Sequence, residues 1–333
     1  MSQAAPSRAV AAPDVTAWLA GLVRQVAEIQ PLPGDVSPRQ YARIVFADGG
    51  SAILASYPPE VRATCIRFLR TSELLTAAGV PVPRILASAC GEGLMLLEDL
   101  GPQTLGDWKG RPWSTLRLSF ECALELAGRI ARIPVAEVAD LNPRLDAELL
   151  RRELKQTWDL FLEPRGLTGG PALTAALGAA LDTLCERLGS GPAAPCHRDF
   201  MSRNLMPLDE VGSVAVLDHQ DLRLGPAAYD LASLLNDTLF PPPEIEDELL
   251  AAALPHLPEE IGRTGYHRAA AQRTLKAVGT YTSFARRGAD RHLPLIAPTL
   301  SRCLDHLGHI PESEPLVEDL GRLWRPVLEE EAA

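Results

Sequence analysis

Residues 195–218 constrain this chain more than any other stretch. Pro-Cys-His-Arg-Asp-Phe-Met-Ser-Arg-Asn-Leu-Met (195–206) is followed, after a short connection, by the apolar run Val-Ala-Val-Leu (214–217), which ends in Asp218. The order is His197-Arg198-Asp199, four residues, Asn204, then a strand-like run closed by an acid. Phosphoryl transfer from a nucleoside triphosphate needs that set of groups. One carboxylate, Asp199, is suited to orient an attacking hydroxyl and take its proton. A side-chain amide, Asn204, and a second carboxylate, Asp218, are hard oxygen ligands of the kind Mg²⁺ prefers, leaving other positions for phosphate oxygens and water. A His-Arg-Asp tripeptide alone would be an ordinary loop; the Asn at its fixed offset and the strand-then-Asp set this one apart. His197 and Arg198 are expected to support the loop and not to react.

The bulk properties bound what surrounds this stretch. A chain of 333 residues is long enough for two lobes. Hydrophobic residues at 46% supply buried cores, and 23% charged residues is too ordinary for wholesale disorder. A formal net charge of −11 argues against nucleic acid and against an anionic membrane surface, both of which call for a basic face. The first dozen residues lack the apolar centre of a signal peptide, and no apolar run reaches the ~18 residues of a membrane span. Cys65, Cys90, Cys122, Cys185, Cys196 and Cys303 are scattered with no C-x-x-C pair, and read as small buried residues of a reducing compartment. The expected location is the cytoplasm, with no membrane and no nucleic acid as partner.

Along the chain, residues 1–13 read as a flexible tail. Asp14 then caps a helix to about residue 29, with Val15, Trp18, Leu19, Leu22, Val23 and Val26 on one face. Strands over 41–47 and 51–57 flank Asp48-Gly49-Gly50, a hairpin signal. A helix over 60–78 ends at Gly79, and a second hairpin joins 84–88 to 94–98 through Cys-Gly-Glu-Gly (90–93). This α-ββ-α-ββ half, residues 14–98, resembles the N-lobe of protein-kinase-like folds. Residues 99–102 are expected to be the hinge, with main-chain groups near Glu98 and Leu100 meeting an adenine. Residues 103–333 form the C-lobe, with helices near 114–133, 146–162, 173–188, 229–238, 244–253, 266–286, 294–307 and 316–329. The fold class expected is α+β: bilobal, with a small N-lobe built on an antiparallel sheet and a larger, mostly helical C-lobe.

Beyond Asp218 the chain reads His219-Gln220-Asp221-Leu-Arg223-Leu-Gly225-Pro226, then Ala-Ala-Tyr229-Asp230-Leu-Ala-Ser. There is no Asp-Phe-Gly and no Ala-Pro-Glu, so a protein kinase with an activation loop is disfavoured. The pattern resembles the aminoglycoside phosphotransferase/choline kinase superfamily, whose second motif is an apolar strand, Asp, a short spacer and Gly-x-x-x-x-Asp-Leu-Ala. Within it, the chain is most similar to the anomeric N-acetylmuramate/N-acetylglucosamine kinases of cell-wall recycling. Gly34-Asp-Val-Ser, the Tyr-Pro-Pro-Glu after the second strand, Gly79-Val-Pro-Val-Pro and Leu-Leu-Glu-Asp-Leu-Gly agree, and the resemblance spans about 14–325. It implies ATP and Mg²⁺ as cofactors, a small-molecule amino sugar as acceptor, and transfer to its C1 hydroxyl. The product would be a sugar 1-phosphate for a downstream nucleotidyltransferase, towards UDP-N-acetylmuramate. It also implies that Asp230 braces the catalytic loop.

The remaining site candidates follow from position. Gly34, Asp35, Ser37 and Arg39 lie in the loop expected over the phosphates. Arg203 and Arg223 are guanidinium candidates for a lactyl carboxylate, and Gln220 and Asp221 for sugar hydroxyls. Two features depart from general kinase chemistry. The covering loop has a single glycine, and Lys occurs only at 109, 155 and 276, so the usual N-lobe lysine is missing. Arg39, Arg43 and Arg67 are candidates to replace its charge, though not its geometry. An aminoglycoside or amino-alcohol phosphotransferase is the alternative within the enzyme class, and a nucleotide-binding, non-catalytic regulator the alternative outside it.

Overall fold

The computed structural model describes residues 15–21, 24–32, 38–209, 212–257 and 261–329. The tail 1–13, the cap Asp14, the helix-face positions Leu22 and Val23, and the loop residues Gly34, Asp35 and Ser37 lie outside the described residues. The chain divides into two compact units, Met1–Arg70 with Pro83–Leu100, and Thr71–Val82 with Gly101–Ala333.

In the first unit, strands β1 (Val26–Pro31), β2 (Gln40–Phe46), β3 (Ser51–Ser56), β4 (Ile85–Ala89) and β5 (Leu94–Glu98) form one antiparallel sheet in the order β1-β2-β3-β5-β4. Period-two alternation explains how one sheet serves two cores. Leu94 and Leu96 of β5 join Ile44, Phe46, Ala52 and Leu54 beneath helix α1 (Val15–Ala20). Met95 and Leu97 face the other way, onto Cys65 and Phe68 of helix α2 (Ala63–Ala77). The β2–β3 turn uses Gly49 at φ 89°, where glycine avoids a Cβ clash. Gly93, at φ 77°, has a second reason to be glycine, because a Cβ there would strike the Tyr57 carbonyl.

Two expectations need correction in this unit. The helix expected over 14–29 ends at Ala20, where Gly21 N–H folds back to the Ala17 and Trp18 carbonyls at 3.2 Å. Residues 26–31 instead pair with β2 as an edge strand, Ile29 opposite Ile44. β-Branched Val26 and Ile29 suit a ladder better than a helix, and tertiary pairing overrides the helical spacing of the apolar residues. The cysteines also differ from the expected set of free thiols. Cys65 and Cys90, 25 residues apart, form a disulfide with a Cα–Cα distance of 5.6 Å. Cys122, Cys185, Cys196 and Cys303 are free. The pairing arises because α2 packs across the sheet near the β4–β5 turn, a proximity that sequence spacing does not encode. The reducing compartment therefore loses its support from cysteine usage.

The second unit is helical, with α3 (Trp113–Ala131), α4 (Val135–Val138), α5 (Ala147–Thr157), α6 (Pro171–Ser190), α7 (Tyr229–Leu235), α8 (Pro243–Ala253), α9 (Gly262–Ala285), α10 (Ile296–Leu307) and α11 (Val317–Glu329). One continuous apolar core runs through it, from Phe120 and Leu150 to Tyr229, Tyr266 and Trp324. Helices α5 and α9 lie side by side at unusually close range. Thr157 Oγ1 donates to the Leu275 carbonyl at 2.8 Å, and a Cβ at Gly279 would sit 2.8 Å from the Thr157 Cα and backbone N. Only a glycine allows that approach, and it brings Glu153, one turn earlier on α5, against Gln272 and Lys276 on α9. Among the described residues no helix is long and apolar enough to cross a membrane.

Candidate active site

Two short antiparallel ladders in the second unit hold the motif residues. Strand β6 (Ala193–Cys196) pairs with β9 (Arg223–Pro226), Cys196 opposite Arg223. Strand β7 (Leu205–Pro207) pairs with β8 (Val214–Val216), Leu205 opposite Val216. Residues 197–204 and 217–222 are the connections that leave these ladders. Hydrogen bonds tie them to each other: Leu217 N–H donates to the Asn204 carbonyl at 2.8 Å, and His197 Nε2–H donates to the Leu217 carbonyl at 2.7 Å. The first bond sets Asn204 beside the residue that precedes Asp218. Asn204 Nδ2 donates to the Asp199 carbonyl at 2.8 Å, which leaves its side-chain oxygen as an acceptor. Asp218 Oδ1 accepts from Gln220 Nε2 at 3.0 Å. An amide oxygen just before β7 and a carboxylate just after β8, on connections bonded to each other, suit a hard divalent cation that keeps phosphate and water ligands.

Two non-glycine residues here adopt left-handed backbone, Arg198 at φ 76° and Asp218 at φ 56°. Each such residue costs about 1–2 kcal/mol and persists only where its surroundings over-determine it. For Arg198 the surroundings are explicit. Both Asp230 oxygens, in the first turn of α7, accept backbone bonds, from His197 N–H at 2.7 Å and Arg198 N–H at 2.9 Å. Ser233, one turn on, donates to the Arg198 carbonyl at 3.4 Å. Ser202 N–H is held by Asp237 at 2.9 Å, and the Ser202 hydroxyl bonds the same oxygen. Burial pushes the Asp230 carboxyl up to about 6, against the pull of His197 and of its two N–H bonds.

The Asp199 side chain is about a quarter exposed, and cations surround the rest of it. Arg273 Nη2 is 3.7 Å from its Oδ1 and Lys276 Nζ is 4.0 Å. Burial works to raise this carboxyl, but Lys276, Arg198 and Arg273 outweigh it and hold it well below the usual carboxylate range. Glu153 stands behind the cations, accepting from Arg198 Nη2 at 2.9 Å and Gln272 Nε2 at 3.3 Å. Burial also opposes its ionisation, and Lys276 with Arg198 again prevails, lowering it. Burial brings the Lys276 ammonium down to about 8, reinforced by Arg273 and opposed by Glu153 and Asp199.

The other expected residues fall as follows. Arg223 is buried, donating to the Asp221 carbonyl at 3.0 Å and the Pro143 carbonyl at 3.2 Å. Asp221 lies 3.5 Å from both Arg198 and Arg223, Gln220 is buried, and Arg203 is exposed. In the first unit, Arg39 is half-buried over the Tyr41 ring at 6.0 Å. Arg43 grips Asp99 through Nε and Nη2, at 2.6 and 3.1 Å, and Ser51 donates to the same carboxylate at 2.7 Å. Glu98 closes β5 and pairs with Arg84 at 2.9 Å; Arg67 and Leu100 are half-buried.

Sequence reasoning passed over Glu153, Gln272, Arg273 and Lys276. The signal for the last three was polar residues at i, i+1 and i+4 inside a helix otherwise buried on most sides, one of them among only three lysines in the chain.

Comparison with known proteins shows the family and the fold. The model of the phosphotransferase enzyme family matches residues 28–271. An N-acetylmuramate/N-acetylglucosamine kinase of Pseudomonas aeruginosa is 34% identical over 282 residues, 80% of each chain. The protein of that name from Pseudomonas putida is 30% identical over 301 residues, 87% of this chain and 86% of its own. Among solved structures, a choline/ethanolamine kinase family protein from Mesorhizobium loti aligns with a TM-score of 0.59 at 18% identity, covering 92% of this chain and 98% of that one. An ADP-bound aminoglycoside phosphotransferase aligns at 0.57 and 13% identity, covering 87% and 97%. Those structures share the fold: an N-terminal antiparallel sheet and a helical C-terminal part. The chain belongs to the phosphotransferase enzyme family, as a kinase that uses ATP to phosphorylate a hydroxyl group.

Proposed function

We propose that this kinase transfers the γ-phosphoryl group of ATP to the anomeric hydroxyl of N-acetylmuramate and N-acetylglucosamine. The observation that carries the chemistry is the Asp199 carboxylate on the same loop as Asn204, which is bonded to the strand leading into Asp218. The named relatives, alike over four-fifths of the chain, carry the choice of acceptor.

Asp199 accepts a hydrogen bond from the acceptor hydroxyl and aims its oxygen at the γ-phosphorus. The acceptor O–P bond forms as the bond to the β–γ bridging oxygen breaks, ADP leaves, and the hydroxyl proton passes to Asp199 and then to water. A carboxylate held so far below its ordinary range is a weak base, so its contribution is orientation first and late proton transfer second. His197, Arg198 and Asp230 fix the loop. Asn204 and Asp218 would hold Mg²⁺, which neutralises the nucleotide's phosphate charge. In the first unit, Gly34, Asp35, Ser37 and Arg39 are proposed to cover the phosphates, and Glu98 and Leu100 to meet the base. Gln220 and Asp221 remain the candidates for sugar hydroxyls. The reaction is placed in the cytoplasm, and its sugar 1-phosphate would feed a nucleotidyltransferase in peptidoglycan recycling.

Release of ADP across a panel of N-acetylmuramate, N-acetylglucosamine, aminoglycosides and choline tests the acceptor. Turnover confined to an aminoglycoside or to choline would sink the sugar assignment. Asp199→Asn should abolish turnover and keep nucleotide binding; near-normal activity would remove Asp199 as the base.

A further inference from the structure

Four largely buried cations crowd the loop that carries Asp199, and two of them are bonded to a carboxylate or to main-chain carbonyls. Arg198 is hydrogen-bonded to Glu153, and Arg223 to two carbonyl groups. The remaining two come from α9. Lys276 lies 3.9 Å from Glu153 and 4.0 Å from Asp199, beyond hydrogen-bonding distance of either, although its side chain is only 14% exposed. Arg273, at 10%, donates to the neutral Ser233 hydroxyl at 3.2 Å and makes a 4.0 Å contact with the Met201 sulfur, and stands 3.7 Å from Asp199. A largely buried cation without a hydrogen-bonded anion is costly, so such groups pair or meet a ligand. Glu153 does not fill that role: it accepts from Arg198 and Gln272 and stands 3.9 Å from Lys276, too far for a hydrogen bond. Asp199 must keep a lone pair for the acceptor hydroxyl.

We propose that Lys276 and Arg273 form an anion subsite beside Asp199 that takes the carboxylate of an acidic acceptor sugar. The proposal rests on the amino-sugar reading above. That pair of acceptors differs by one ionised group: N-acetylmuramate carries a lactyl carboxylate and N-acetylglucosamine does not. An acceptor hydroxyl bonded to Asp199 puts the sugar ring within its own width of the Lys276 ammonium, where a carboxylate on that ring completes both cations. A bound carboxylate also favours the charged form of an ammonium that burial has weakened. The subsite thereby separates selection from chemistry. The neutral sugar reacts without filling it, and the acidic sugar gains a charge-assisted contact.

The test is the ratio of kcat/KM for N-acetylmuramate to that for N-acetylglucosamine, in the wild type and in Lys276→Met, Arg273→Gln and Lys276→Arg. Both neutral variants should lower that ratio tenfold or more, chiefly through KM for the acidic sugar. Lys276→Arg, which keeps the charge, should restore it at least in part, and it also serves if the methionine variant fails to fold. Equal losses on the two sugars would overturn the subsite alone, assigning Lys276 to Asp199 or to the phosphoryl group. A wild-type protein that turns over neither sugar would overturn the amino-sugar reading and the subsite with it.

Discussion

Asp230→Ala isolates the brace of the catalytic loop. The substitution removes both acceptors of the His197 and Arg198 N–H groups. A buried N–H left without a partner costs about 1–3 kcal/mol, so the pair costs roughly 2–6. Asp230 is itself expensive to keep. It is 4% exposed, and burial carries its carboxyl from 3.8 up to about 6. At about 1.36 kcal/mol per pH unit, that rise is about 3 kcal/mol of destabilisation when the group is ionised. Releasing Arg198 from its left-handed conformation returns about 1–2 kcal/mol more. The terms nearly cancel, and the net change in folding free energy stays within about 3 kcal/mol of zero. Activity has no such compensation. Asp199 follows Arg198 directly, and a displacement of about 1 Å at the reacting group costs about 100-fold. The expected result is a kcat lower by about two orders of magnitude, with nucleotide affinity unchanged and a denaturation midpoint close to wild type.

The same variant carries a pH signature. The folded value of Asp230 lies above its ordinary one, so between pH 4 and pH 6 the native protein holds a proton that the unfolded chain has lost. This group's contribution therefore falls as pH rises through that window, by up to about 3 kcal/mol. The wild-type-minus-variant stability difference, from chemical denaturation, should fall correspondingly between pH 4 and pH 7. A kcat within threefold of wild type, or parallel stability curves, would refute the argument.

Three further outcomes follow from the same structure. Asn204→Ala should raise the Mg²⁺ concentration needed for half-maximal turnover tenfold or more; an unchanged titration would remove Asn204 from the metal site. Gly279→Ala inserts a Cβ 2.8 Å from Thr157 backbone atoms, so overpacking should cost about 1–3 kcal/mol and part α5 from α9. Denaturation midpoint and kcat should then both drop, and a variant with neither change would show that the helices need no glycine there. Under denaturing, non-reducing conditions four thiols should titrate, rising to six after reduction, whereas six from the start would contradict the Cys65–Cys90 bond.

What was legible in the sequence was what the chain encodes locally. The β2–β3 and β4–β5 hairpins announce themselves through glycine-rich turns that demand left-handed backbone. Apart from the four-residue α4, which was not expected, the helices of the second unit were anticipated to within a few residues because their apolar spacing is satisfied by one large core. Asp199, Asn204 and Asp218 sit within twenty residues of one another, so their order could be read directly. Val26–Pro31 was misread because its apolar spacing fits a helix, while a ladder with β2 decides its state. The cation pair Arg273 and Lys276 was passed over for a related reason. It meets Asp199 through the tertiary packing of α9 against α5 and α7, and nothing near residue 199 in the sequence points to that contact. Arg203 and Arg223 drew attention by lying close in sequence, yet the Arg223 guanidinium is committed to main-chain carbonyls.

The position of the transferred phosphate decides whether this chain is an anomeric sugar kinase. Wild-type protein is incubated with Mg·ATP and N-acetylmuramate or N-acetylglucosamine, and the product is read by phosphorus–proton correlation NMR. The expected product from each sugar has its phosphorus coupled to the anomeric proton. A phosphate on any other hydroxyl, or no phosphorylated sugar under conditions where another acceptor consumes ATP, would contradict the anomeric assignment.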